Sequence, residues 1–140
     1  MDFAKSLFDN LGRTLIINED MMDAATAISG SGPGYFYDFI KGKSKEEIKF
    51  LKEGFITSLI EVAHSIGFSM VEAELLTVTT THGSMELLSK TKLSAEQLRN
   101  QVASKGGTTE AALEVLHMGG SLEEAVKAAL NRAYELTKKG

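Results

Sequence analysis

Ser104-Lys105-Gly106-Gly107-Thr108-Thr109 joins two stretches of helical periodicity, and its residue types could hold an anion. Two glycines let a backbone turn sharply and come close to a ligand. The threonines then open a helix whose first amide N–H groups have no intrahelical acceptor. Those amides, the positive end of the helix dipole and the hydroxyls suit a carboxylate, with a hydroxyl beside it able to donate a hydrogen bond. The same spacing also fits a plain helix–loop–helix turn with an N-cap. Residue types leave both readings open.

Other patterns carry less chemistry. Glu61-x-x-His64 and Glu114-x-x-His117 have the spacing of a di-iron helical bundle, in which each pair must point inward. At about 100° per residue, Glu61 and His64 fall opposite the apolar stripe of their helix, and Glu114 points away from Ala112, Leu113 and Leu116. A helical metal-carboxylate protein is therefore the weakest reading, and no metal ligand is assigned. Ser29–Gly34 places Gly30 and Gly32 at dinucleotide-fingerprint spacing, but Tyr35 replaces the third glycine and no strand leads in. It reads as a tight interhelical turn, with Pro33 at the first position of the next helix. His82 has no partner pattern and reads as structural, and the lysines at 41, 43, 45, 49 and 52 read as a solvated face.

The elements that must position these residues are helices. Four segments, beginning at Ser44, Ser69, Ser94 and Ser121, fit the Ser-x-x-Glu/Gln capping box. After Ser44, Ile48, Leu51, Phe55, Leu59, Val62 and Ile66 form one stripe, and Gly67 fits a left-handed helix end. After Ser69 an apolar pattern runs through a β-branched stretch at Thr77–Thr81. Further helices are expected over about Ala95–Ala103, Thr109–Met118 and Leu122–Lys138, the last with Ala125, Val126, Ala129, Leu130 and Ala133 inward. Near the start, Asp2 can cap a short helix ended by Gly12, residues 13–18 read as a strand, and Asn18 can cap a helix through Ile28. The helix carrying Tyr35, Phe36, Phe39 and Ile40 is broken at Gly42-Lys43.

Composition excludes several classes. A chain of 140 residues makes one domain. A formal net charge of -4 with scattered lysines does not favour nucleic acid or an anionic membrane. Cysteine is absent, which excludes disulfides and thiolate chemistry and suits a cytoplasmic location. No signal peptide and no membrane-length apolar run is present, so a soluble protein is expected.

Taken together, Leu11-Gly12-Arg13, the run from Met22 to Tyr35 and the run from Gln97 to Leu113 resemble the C-terminal, dimerisation half of pyrroline-5-carboxylate reductases. The most specific block is Val102-x-Ser104-x-Gly106-Gly107-Thr108-Thr109. The resemblance implies an all-α helical bundle that interlocks with a second copy as a homodimer, and it allows a higher ring of dimers. It implies an oxidoreductase that passes hydride from NADPH or NADH to the imine of 1-pyrroline-5-carboxylate, yielding proline. By position, Ser104, Gly106, Gly107 and Thr108 would hold the substrate carboxylate, and Thr109 would be the catalytic donor to the imine nitrogen.

Three departures accompany the resemblance. Lys105 stands where the family usually has proline, and residues from about 41 to 54 look inserted. Residues 1–18 look like the last helix and strand of a dinucleotide-binding half, leaving 19–140 as the helical domain, and the rest of that half is not in the sequence. The chain alone is therefore expected to bind no coenzyme and to be inactive. The alternative is a non-catalytic oligomerisation module that kept the helices.

Overall fold

Ser44, Ser69 and Ser94 each close a complete capping box, the side chain accepting from the backbone three residues on and Glu47, Glu72 or Gln97 accepting in return. Ser121 likewise accepts from the Glu124 amide. These local bonds satisfy amides that a helix start leaves open, and they set the frame of the computed structural model, which describes residues 15–139. In chain order the helices are α1 (Met22–Ala25), α2 (Gly32–Ile40), α3 (Lys45–Ser65), α4 (Met70–Lys90), α5 (Ala95–Val102), α6 (Thr108–His117) and α7 (Leu122–Lys139). A 3-10 turn (Glu19–Met21) precedes α1 and a π turn (Thr26–Gly30) follows it. Among the described residues there is no strand, and no helix is long and apolar enough to cross a membrane.

The helix ends follow the expected chemistry. At the end of α3, Gly67 takes a φ of +121°, its amide bonds His64 O, and the Phe68 amide bonds Ala63 O. This paired closure satisfies carbonyls that the last turn leaves open. It also turns Phe68 into the core, where it is 2% exposed.

Short α2 is the centre of the core. Tyr35, Phe36, Tyr37 and Ile40 are all buried, and Phe36 packs on Phe55 of α3 with ring centroids 5.1 Å apart. Each buried tyrosine keeps a partner for its hydroxyl, as a buried O–H requires. Tyr35 donates to Ala27 O at 2.7 Å and Tyr37 donates to Ser84 O at 2.8 Å. Around α2 lie α5, α4 and α6, while α6 and α7 form a hairpin. The expected inward face of α7 is observed: Ala125, Val126, Ala129 and Ala133 are buried.

Several expectations need correction. The tight interhelical turn expected over Ser29–Gly34 is shorter than expected: the π turn runs through Gly30 and α2 starts at Gly32 with Pro33 in its first turn, leaving Ser31 as the only break. Asn18 makes no side-chain cap bond. Residues 15–18 have no regular structure, so the described part of the expected strand forms no ladder; the rest of it and the helix after Asp2 lie outside the described residues. The helix after Ser69 runs through its β-branched stretch as expected, since packing against the core overrides weak propensity. His82, read as structural, is exposed. Of the five lysines read as solvated, Lys41 is engaged in an ion pair and Lys52 is half-buried.

Candidate anion site at the start of α6

The loop after α5 is built by its own backbone. The Gly107 amide bonds Ser104 O at 2.9 Å, and Gly106 turns with a φ of +74°. A Cβ on Gly107 would lie 2.5 Å from Ser104 Oγ and 3.1 Å from Ser104 O, so a larger residue there would have to turn the Ser104 side chain away and crowd its carbonyl. Arg132 of α7 fastens the loop by donating from Nε to Gly106 O at 2.7 Å. Helix α6 then begins at Thr108, with the Ala111 amide making its first backbone bond, to Gly107 O. The amides of Thr108, Thr109 and Glu110 precede that bond and are the donors that a helix start presents.

Three hydroxyls meet beside those amides. Thr109 Oγ1 donates to Ser31 Oγ at 2.8 Å, and Ser31 Oγ also pairs with Thr108 Oγ1 at 2.8 Å. Ser31 and Thr109 are 1% and 4% exposed, so the trio is an interior arrangement open only toward Thr108. Beyond it lies Tyr35, whose burial pushes its hydroxyl pKa up and keeps it protonated.

The same helix pair is tied again at its other end. Asp38 of α2 accepts at one carboxylate oxygen from Arg99 of α5 at 2.8 Å, His117 of α6 at 2.9 Å and Lys41 at 3.0 Å. Burial raises the Asp38 pKa, but the hydrogen bonds from His117, Lys41 and Arg99 outweigh it and hold the carboxyl below its ordinary value. Parallel helices α2 and α6 are thus pinned at Ser31–Thr108/Thr109 and again at Asp38–His117.

Sequence reasoning grouped Ser104, Gly106, Gly107, Thr108 and Thr109, and all five lie at this one turn. They are not equivalent. Ser104 is exposed, Thr109 is buried, and the Gly106 amide donates to the Glu110 carboxylate at 3.0 Å. A carboxylate of the chain itself therefore already occupies one donor of the loop. Sequence reasoning missed Ser31, Asp38 and Arg132. Ser31 lies 77 residues before Thr108, and nothing in a local pattern reports such a contact.

Neither of the other patterns forms a site. Glu61, His64 and Glu114 are exposed, His64 Nδ1 is 2.8 Å from Phe68 O, and among the described residues no cluster of three or more His, Cys, Asp or Glu could hold a metal. Ser29–Gly34 does not form a dinucleotide loop either. Gly30, Gly32 and Gly34 are helical, Gly32 and Gly34 are buried, and Ser31 at the start of α2 is covered by Thr108 and Thr109, so no pyrophosphate cradle exists there.

Fold and site define an all-α domain with a glycine turn and a hydroxyl-lined helix start. Residues 53–139 match the family model described as pyrroline-5-carboxylate reductase dimerisation, and the chain belongs to that family. It is similar to pyrroline-5-carboxylate reductase of Synechocystis sp., 34% identical over 97% of this chain and 46% of that protein. Pyrroline-5-carboxylate reductase 2 of Bacillus subtilis is 32% identical over 88% of this chain and 38% of its own length. The Mycobacterium tuberculosis pyrroline-5-carboxylate reductase is 31% identical over 97% of this chain and 48% of its own. The chain spans less than half the length of these relatives. No solved structure matches it.

Proposed function

We propose that this chain is the substrate-holding and dimer-forming domain of a pyrroline-5-carboxylate reductase that makes proline, with NADPH or NADH carried on a separate dinucleotide-binding domain. The observation that carries this reading is the Ser31–Thr108–Thr109 hydroxyl trio beside the open amides of α6. The substrate carboxylate docks on the amides of Thr108, Thr109 and Glu110, with Ser104 and Thr108 hydroxyls donating and the Gly106-Gly107 turn giving it room to approach. Thr109 turns its O–H from Ser31 toward the imine nitrogen and donates there as negative charge develops on it. Ser31 keeps Thr108 as its partner through that rotation. Two copies of the chain form a homodimer, as its family membership supports.

The test joins this chain to a family dinucleotide-binding domain and compares Thr109→Val with Thr108→Val. Removing a transition-state donor lowers kcat by roughly 100- to 1,000-fold with a smaller change in KM. Thr108→Val is milder, because the backbone amides at that turn survive it. Burial of Thr109 favours a second reading, in which the trio only clamps α2 to α6. If Thr109→Val melts earlier yet turns over normally per folded site, the clamp reading is correct and the catalytic role falls. Calorimetry of the chain alone with NADPH should show no specific binding.

A further inference from the structure

Gly106 and Gly107 follow one another in an exposed turn that contains no proline. Between two glycines a peptide plane can flip, exchanging the directions of its C=O and N–H, because neither residue has a Cβ to resist the change in φ and ψ. This peptide is tied at both ends. Its N–H, on Gly107, donates to Ser104 O at 2.9 Å, and its C=O, on Gly106, accepts from Arg132 Nε at 2.7 Å. The first bond is local to the turn. The second comes from α7, 26 residues further along the chain. Arg132 is itself held, with Nη1 donating to Glu135 Oε2 at 2.8 Å and its side chain 28% exposed. A guanidinium presents its N–H groups in one rigid plane, so meeting Glu135 with one nitrogen fixes the aim of another at Gly106.

We propose that Arg132 is a positioning residue for the substrate carboxylate: by holding the Gly106 carbonyl on α7 it blocks the flip of the Gly106–Gly107 peptide and keeps the turn closed. The inference rests on the substrate reading above and adds the residue that holds the turn in its binding conformation. A flip would point the Gly106 carbonyl along the direction the Gly107 N–H now takes, toward Ser104 O. Two carbonyl oxygens would then face each other where one hydrogen bond now closes the turn, and the turn would open. The Ser104 hydroxyl and the first amides of α6, which must converge on one anion, would part. Arg132 acts through this peptide and does not touch the substrate.

Two measurements test the proposal. In the chain joined to a family dinucleotide-binding domain, Arg132→Met keeps an unbranched stem and removes the donors. It should raise KM for 1-pyrroline-5-carboxylate by roughly 10- to 100-fold while KM for the coenzyme stays unchanged. Arg132→Lys keeps the charge but not the planar fork, so it should recover only part of the loss; a lysine variant equal to wild type overturns the locking role. In the chain alone, hydrogen exchange read by NMR should quicken at the Gly107 amide by about tenfold in Arg132→Met, with the middle of α6 and α7 unchanged. Unchanged exchange at Gly107 overturns the inference. If Arg132→Met does not fold, Glu135→Gln carries both measurements, with smaller effects in the same direction, and no effect of it on either overturns the inference. Gly107→Val separates this inference from the reading beneath it. If Gly107→Val raises the substrate KM and Arg132→Met does not, Arg132 has no positioning role and the turn still holds the substrate. If neither raises it, the turn does not hold the substrate and both fall.

Discussion

Gly34 and Thr109 share one space: a Cβ on Gly34 would lie 2.5 Å from Thr109 Cγ2. Helix α2 therefore approaches the start of α6 as closely as a side-chain methyl allows, and this approach lets Ser31 reach both threonines. Gly34→Ala should destabilise the protein by about 1–3 kcal/mol, the usual cost of overpacking. Adding Thr109→Ser removes the methyl and keeps the hydroxyl, so the double variant should recover most of that loss. Urea unfolding of the four proteins checks it; strict additivity would mean the two positions do not compete.

Asp38 should give the protein an acid-sensitive joint. Its side chain is 10% exposed and accepts from Lys41, Arg99 and His117. Because the folded carboxyl is held below its ordinary value, its contribution is full above about pH 4 and is lost as pH falls through the depressed folded value. Asp38→Asn should cost about 1–3 kcal/mol at neutral pH, and the gap to wild type should close in acid. Unfolding across pH 2.5–7 measures this; a gap independent of pH would remove the charge from the argument.

Thr77 and Thr81 bury hydroxyls that have no hydrogen-bond partner among the described residues. Valine has the same shape without the polar atom, and an unpaired buried hydroxyl costs stability. Thr77→Val and Thr81→Val should each raise stability by about 1 kcal/mol. Thermal melts decide the matter, and a lower Tm would show that the hydroxyls do find partners.

Glu110 places a carboxylate on the Gly106 amide, at the turn assigned to the substrate carboxylate. Glu110→Gln keeps an acceptor oxygen for that amide and removes the negative charge. In the joined enzyme it should lower KM for the anionic substrate by roughly two- to tenfold with kcat little changed, as expected for a screened like-charge contact. An unchanged or higher KM would show that Glu110 only shapes the loop.

Much of the fold was legible because helix signals are local. Capping serines at 44, 69 and 94, the stripe of α3 and the glycine stop at Gly67 all act within a few residues, and each appears where expected. The turn expected over Ser29–Gly34 contracts to Ser31: three glycines and a proline weaken helix propensity, but burial of Gly32, Gly34 and the Tyr35–Tyr37 aromatics holds the flanking residues helical.

The sequence by itself determined which segments are helical, where they cap, and which turn carries two glycines and two threonines, since all of these rest on contacts within one or two helical turns. Only the tertiary structure decided what those residues face. Ser31 against Thr109, Asp38 between Arg99 and His117, and Arg132 on Gly106 all join residues far apart in the chain. Such pairs form because helices α2, α5, α6 and α7 pack at particular offsets, and a packing offset is set by the whole core rather than by any local stretch.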